Sequence, residues 1–397
     1  MLRYAVILGL LSVIGPFAID MYLPALPTIS TDLGASIEAI QGSLMAFFVS
    51  VGVGQLVYGP LADMLGRKPP LYFGLVLFAG ASIGCALAPN VETLIAFRFV
   101  QGLGACAGMV VPRAVVRDLH TGNEAARLMS LLMLVFSIGP ILAPLAGTGV
   151  TAIASWRAIF WLMMVASLLG ILLLAFALPE TRPPEQRVES GIGSAMSGYW
   201  LLLRDRHFLG LVFIGAFGMS SFFIYLANSS FVLIQHYGLT PTQYSLAFSV
   251  NAISFFGFSQ LNGRLGGRYG LARVMRFAVT GFAAAVVILA LLMAAGIDGL
   301  FVLIGMLFIG NGFLGLVIPT SAVLALDEHG EIAGTASALM GTLQMVTGAL
   351  MMALVGLFID GTALPMVSGI AACGIIAFTL GQLTLGRRGR IVEAPAE

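Results

Sequence analysis

The stretch GPLADMLGRK, Gly59 to Lys68, breaks a long apolar run with an aspartate, an arginine and a lysine inside ten residues. Apolar stretches near 40–62 and 70–88 flank it. Each is close to the length of about 20 residues that a membrane-spanning helix needs. The stretch therefore reads as a short charged turn between two spanning helices. Outward from it the same alternation continues, with apolar stretches near 4–26, 93–115, 129–149 and 156–178. A second set lies near 208–234, 242–262, 274–295, 299–324, 332–358 and 364–386. Between the sets runs the longest polar segment, 179–207, with Pro179, Pro183 and Pro184. About 200 residues after the first turn, NGRLGGRYG (Asn262 to Gly270) again places Leu-Gly before an arginine. The expected fold is all-α: twelve transmembrane helices in two pseudo-symmetric six-helix bundles. The expected boundaries are an N-terminal bundle 1–178, a cytoplasmic linker 179–207, a C-terminal bundle 208–386 and a cytoplasmic tail 387–397.

Composition agrees with a lipid-facing chain. Of 397 residues, 59% are hydrophobic and 9% charged, against roughly 25% charged in a soluble domain. A net charge of +1 gives no electrostatic basis for binding nucleic acid. Cys85, Cys106 and Cys373 all fall in apolar runs, which suggests neither a disulfide framework nor a metal cluster. Arg3 precedes the first apolar run and no small-residue cleavage site in a polar region follows, so that run is expected to remain as a spanning helix.

Basic residues set the orientation. Arg67, Lys68, Arg117, Arg127, Arg182, Arg187, Arg204 and Arg206 fall on one side, with Arg264, Arg268, Arg273, Arg276, Arg387, Arg388 and Arg390. The opposite loops hold essentially only Arg157. Both termini are expected to be cytoplasmic and the protein to lie in the cytoplasmic membrane. The acidic turn 327–331 is on the inner side without basic residues.

Within the spans, charge is rare and therefore informative. In GPFAIDMYLP (Gly15 to Pro24), Asp20 is the one carboxylate well inside a span, and Arg98 the one base. At 1.5 Å per residue, Asp20 lies roughly 7 Å and Arg98 roughly 9 Å outward of their helix midpoints. An unpaired charge at mid-bilayer costs at least about 2.5–3.5 kcal/mol, which favours a pair or a wet cavity. Burial favours the neutral acid and a nearby cation the carboxylate. A cavity that hydrates and closes in turn could thus couple protonation to conformation; a static pair that fixes packing is the alternative.

Arg98, Gly102, Ala105 and Met109 share one helix face, where small residues leave space for substrate or for a packed neighbour. Arg113, nearer the inner end, reads as a snorkelling anchor or a second gate. Asp63, Arg67 and Asp118 belong at the inner surface, with Asp63 placed to meet a helix N-terminus and Arg67 to bridge toward Asp118. Pro16 and Pro24 flank Asp20, and Pro140 and Pro144 sit four apart, marking bends. A substrate wall could draw on Phe17, Met45, Phe48, Gln101, Tyr225, Asn228, Phe248, Asn251, Met340 and Gln344. Methionine and aromatic surfaces suit varied ligands, although such residues also serve as plain packing.

Taken together, these motifs resemble the major facilitator superfamily, specifically its drug:proton antiporters of the Bcr/CflA type. AIDMYLPALP (Ala18 to Pro27) resembles the end of the first helix. GPLADMLGRK resembles the loop signature through Gly59, Asp63, Gly66 and Arg67. AFRFVQGLGACAGMVVPRAVVRDL (Ala96 to Leu119) resembles the fourth helix, and GPILAPLAG the antiporter motif of the fifth through Gly139, Pro140, Pro144 and Gly147. Met64 stands where the signature usually has Arg, Ala143 and Thr148 where the antiporter motif usually has Gly. The first departure leaves the loop's charge network one member short.

The resemblance implies proton coupling through Asp20 and Arg98, and a loop signature that latches the halves in the outward-facing state. It further implies export of small amphipathic compounds, such as amphenicol- or bicyclomycin-like antibiotics, in exchange for protons. The expected partners are membrane lipid, substrate and protons, with no cofactor beyond the proton, no metal, and a monomer as the working unit. A proton-coupled transporter of a sugar, amino acid or nucleoside on the same fold is an alternative, as is a non-transporting membrane sensor. No GxxxxGK[ST] loop is present, the one lysine lying in LGRKPP, and four scattered histidines offer no nucleophile–base constellation, so no enzyme is expected.

Overall fold

Prolines, glycines and capping side chains decide where each helix of this chain starts and stops. The computed structural model describes residues 2–120, 122–186 and 192–386. Arg187 and the tail 387–397, with Arg387, Arg388 and Arg390, lie outside the described residues. Among the described residues every regular element is helical. The first part comprises α1 (Leu2–Asp20), α2 (Leu26–Asp32), α3 (Ile37–Leu65), α4 (Lys68–Ala86), α5 (Val91–Leu119), α6 (Gly122–Ile153) and α7 (Arg157–Ala177). Then follow α8 (Ile192–Arg204), α9 (Arg206–Ser230), α10 (Pro241–Ser259), α11 (Asn262–Tyr269), α12 (Leu271–Ala294), α13 (Leu300–Asp327), α14 (Ala333–Gly356) and α15 (Leu364–Gly386).

The break after Asp20 has a definite cause. Pro24 lacks the N–H that would bond to the Asp20 carbonyl four residues back, so the α-helical ladder stops there. The Tyr22 amide bonds to Ile19, and the 3₁₀ turn Leu23–Ala25 leads into α2. Elsewhere the Ser36 hydroxyl accepts from the Ala39 amide at 3.2 Å to start α3, and Asn90 accepts from Thr93 at 2.9 Å to start α5. α3 stops at Gly66, whose φ of 93° is a conformation that favours glycine.

Among the described residues, eleven helical segments are long and apolar enough to cross a membrane. They correspond to eleven of the expected spans, the first running on through the turn to Asp32. The remaining expectation, 242–262, falls on α10. That helix carries Gln243, Ser245, Ser249, Asn251, Ser254 and Ser259 within 19 residues and is more polar than the other expected spans.

The chain divides into two compact units: Met1–Met196 with Leu239–Ser249, and Ser197–Gly238 with Val250–Glu397. The start of α10 thus clusters with the first unit, whereas the expected boundary assigned all of it to the C-terminal bundle. In the first unit α1 packs on α6, and α4 on both α5 and α7. In the second, α9 packs on α14, and α12 on both α13 and α15. The two units therefore repeat one internal plan. A further repeat is a bare backbone approach: a β-carbon at Gly102 would meet the Phe47 carbonyl, and one at Gly315 the Phe255 carbonyl.

Candidate functional site

Arg98 is completely buried, and its surroundings differ from the expected pair. Its Nη1 donates to the Ala18 carbonyl at 3.1 Å and to Gln101 Oε1 at 2.7 Å. The amide of Gln101 in turn donates to Ser82 Oγ at 2.8 Å. The guanidinium carbon lies 4.5 Å from the Phe47 ring centre and 4.8 Å from that of Tyr22, with Phe160 at 6.0 Å. Desolvated cation–π contacts of this kind are worth about 2 kcal/mol or more each. Tyr22 is itself held by a 3.0 Å hydrogen bond with Ser43.

No ion pair joins Asp20 to Arg98, which corrects the expectation of a formed pair. Asp20 is 4% exposed, and among the described residues its carboxylate has no hydrogen-bond or ion-pair partner. The reason is local. Arg98 reaches α1 at Ala18, two residues before the helix ends, and aromatic rings rather than a carboxylate contact the guanidinium. Its Nε and Nη2 consequently have no acceptor among the described residues. Gln101, proposed from sequence for the substrate wall, is also 0% exposed and has both ends of its amide engaged.

The loop signature does assemble. Arg67 grips Asp118 bidentately, Nε to Oδ2 at 2.6 Å and Nη2 to Oδ1 at 3.0 Å, and reaches Asp63 at 2.8 Å. Burial works against the protonated guanidinium, but the hydrogen bonds and charges of Asp118 and Asp63 outweigh it and raise the Arg67 pKa above its ordinary value. Asp63 does not serve a helix N-terminus as expected. Glu180 does so, accepting from the amides of Arg67 at 2.8 Å and Lys68 at 3.0 Å, where α4 begins. Arg182 adds a second guanidinium to Asp63 at 2.9 Å. The network that Met64 leaves one cation short is therefore completed from the segment after α7. A β-carbon at Gly59, by contrast, would meet nothing within 4 Å, so the spacing of this glycine in the signature has no steric counterpart here.

The antiporter motif lies in α6. A β-carbon at Gly147 would overlap the Met21 carbonyl, and one at Gly139 would sit 3.2 Å from Val13, so both glycines let α6 approach the α1 segment. Pro140 and Pro144 lie inside the helix. Around them, hydroxyls from the start of α10 bind the backbone: Ser249 donates to the Ile141 carbonyl at 2.8 Å and Ser245 to that of Pro144 at 3.1 Å. Thr148, the departure from Gly, shares a 2.9 Å hydrogen bond with Ser245. Ala143 is buried.

The remaining wall residues divide between the units. In the first, Phe17 lies 3.7 Å from the space beside Gly139, Met45 is half-buried, and Phe48 and Phe248 are buried against Phe47 and Tyr244. In the second, Tyr225 is buried, and Asn251 Oδ1 accepts from the Asn311 amide at 3.2 Å. Asn228 donates to the Ile224 carbonyl at 2.9 Å, Gln344 packs at Gly215 beside Ser321, and Met340 is 9% exposed. Arg113 is exposed, and among the described residues it has no hydrogen-bond or ion-pair partner.

A profile of the Major Facilitator Superfamily matches residues 8–352. The chain belongs to the Major Facilitator Superfamily. It is 39% identical over 368 residues to the uncharacterised MFS-type transporter YdgK of Bacillus subtilis (strain 168), covering 92% of this chain and 91% of the relative. It is 32% identical over 378 residues to the bicyclomycin resistance protein homolog of Haemophilus influenzae, covering 93% of each. With the chloramphenicol resistance protein of Pseudomonas aeruginosa it shares 30% identity over 92% of this chain and 85% of the relative. Among solved structures, a D-xylose–proton symporter superposes with a TM-score of 0.73 at 16% identity, covering 97% of this chain and 96% of the other, which shows the fold.

In this member of the superfamily, four further residues, Glu180, Arg182, Ser82 and Asn311, take part in these networks without a distinctive motif in the sequence. Glu180 and Arg182 sat in a segment read as linker. Ser82 is one hydroxyl among many in an apolar helix. Asn311 did carry a signal, since an amide in the middle of α13 needs a partner in lipid.

Proposed function

We propose that this chain is a proton-coupled antiporter that exports small amphipathic compounds across the cytoplasmic membrane by alternating access. The observation that carries the reading is Asp20: a buried carboxylate without a partner among the described residues, on the same short segment that Arg98 holds at Ala18. Two Arg98 nitrogens lack acceptors among the described residues. When Asp20 carries a proton its carboxyl is neutral, and the remaining charge, on Arg98, rests on carbonyl, amide and rings. When the proton leaves, the carboxylate gains the unspent guanidinium donors by a movement at the turn that follows Asp20. Each protonation state thus favours its own arrangement of α1 against α5, the differential interaction a conformational cycle requires.

The names of the relatives that mention bicyclomycin and chloramphenicol resistance support amphipathic antibiotics as the cargo. The working chain has twelve spans, α10 being the eighth, with both termini cytoplasmic, and acts as a monomer without a cofactor other than the proton and without enzymatic activity. In this reading the Arg67–Asp118–Asp63 network is the cytoplasmic latch, and Tyr225, Asn228, Asn251, Met340 and Gln344 with Phe17, Met45, Phe48 and Phe248 provide the substrate wall. Gln101 is a positioning residue for Arg98.

The test is transport in proteoliposomes under an imposed proton gradient. Asp20→Asn is expected to abolish gradient-driven exchange while leaving binding of the compound measurable. Gradient-driven transport unaffected by this substitution would falsify the coupling role. A susceptibility panel in an exporter-deleted host addresses the cargo: protection by overexpression against at least one amphipathic antibiotic is expected, and none against any would overturn the export reading.

A further inference from the structure

α8 is amphipathic in an unusual way: its apolar stripe points outward. At 100° per residue, Gly198 and Leu202 share one face, and Met196, Trp200 and Leu203 lie within about 60° of one another on the opposite face. The first face is packed. Leu202 is 0% exposed, and a β-carbon at Gly198 would sit 3.0 Å from Thr335 at the start of α14. On the other face Met196 and Trp200 are each 60% exposed and Leu203 is 43% exposed. The Arg204 guanidinium lies over the Trp200 ring, 4.6 Å from its centre.

The position of α8 along the membrane normal follows from its neighbours. Only Asp205 separates it from α9, a membrane-spanning helix that begins at Arg206. Asp205 accepts from the amides of His207 and Phe208 at 2.8 and 3.1 Å and meets His329, just beyond α13, at 3.0 Å. α8 therefore lies at the end of the second unit where α9 and α14 begin and α13 finishes. That end carries Arg204, Arg206, Arg264, Arg268, Arg273 and Arg276. It also holds a second cation on an exposed aromatic, Arg268 over Tyr269 at 5.3 Å.

We propose that α8 is a membrane-interface helix that inserts Met196, Trp200 and Leu203 among the lipid headgroups and binds anionic phospholipid through Arg204 and Arg206. An exposed apolar stripe on a helix tied to the end of a spanning helix has the bilayer as its adjacent apolar phase. Trp is suited to the interfacial depth, and arginines reach from it to phosphate. The positive charge of this end complements an anionic leaflet.

The three native cysteines are buried, so a fluorophore can be placed on the full-length protein at Leu203→Cys. With an environment-sensitive nitrobenzoxadiazole there, in nanodiscs, quenching by doxyl-labelled phosphatidylglycerol is expected, with reduction by aqueous dithionite slower than for the free dye. Arg204→Gln and Arg206→Gln should each lower the preference for phosphatidylglycerol over phosphatidylcholine quencher by about fivefold. Rapid dithionite reduction without lipid quenching would overturn the proposal. So would protection from both reagents, which would mean that protein, from a second copy or another partner, covers the stripe. Equal quenching by the two lipids, unchanged in the arginine variants, would overturn the anionic-lipid assignment.

Discussion

Arg98 is held through one nitrogen and three rings. Its Nη1 is shared between the Ala18 carbonyl and Gln101, whose other end rests on Ser82. A hydrogen bond to a charged group contributes about 1.5–3 kcal/mol, so Gln101→Leu is expected to lower the thermal unfolding midpoint in detergent and to impair gradient-driven transport. A midpoint equal to that of the parent protein would show that the guanidinium does not depend on this amide. Asp20 and Arg98 were legible in the sequence because ionisable groups inside spans are rare and costly. Their partners were not. A backbone carbonyl and aromatic faces carry no sequence mark, and only packing of α1 with the turn after it, α3 and α5 brings Ala18, Tyr22 and Phe47 to one guanidinium. The same limit explains why Glu180 rather than Asp63 was found on the α4 N-terminus.

At the scale of elements, the glycines of the motifs separate into two kinds. Gly147 is where α6 meets the Met21 carbonyl with no room for a methyl group, whereas Gly59 faces open space. Overpacking costs about 1–3 kcal/mol, so Gly147→Ala should lower the thermal midpoint clearly while Gly59→Ala leaves it within error. Equal effects of the two substitutions would contradict the close approach of α6 to the α1 segment. Helix positions followed from apolar run length and from caps such as Ser36, Asn90 and Gly66, all local signals. The end of α1 at Asp20 is also local, set by Pro24. What α10 does is not: its serines, which weaken its apolar character, bind the α6 backbone at Ile141 and Pro144, residues about a hundred positions away in sequence.

For the whole molecule, the asymmetry of basic residues makes a prediction about sidedness. A fluorescent protein fused after Glu397 should be bright, and an alkaline phosphatase fused at the same point inactive, because both termini are expected on the basic, cytoplasmic side. The reverse pattern would invert the topology and with it the direction of the proposed proton cycle. The sequence by itself determined the class of fold, the internal repeat and the two charges placed within the membrane. Those properties rest on hydrophobic run length, on turn residues and on the cost of charge in lipid, which depend on short stretches of chain. Tertiary structure alone decided that Asp20 stands unpaired, that Arg98 rests on a carbonyl and rings, and that Glu180 and Arg182 complete the loop signature. Such contacts join residues from different helices, where a shift of about 1.5 Å along an axis exchanges one hydrogen-bond partner for another.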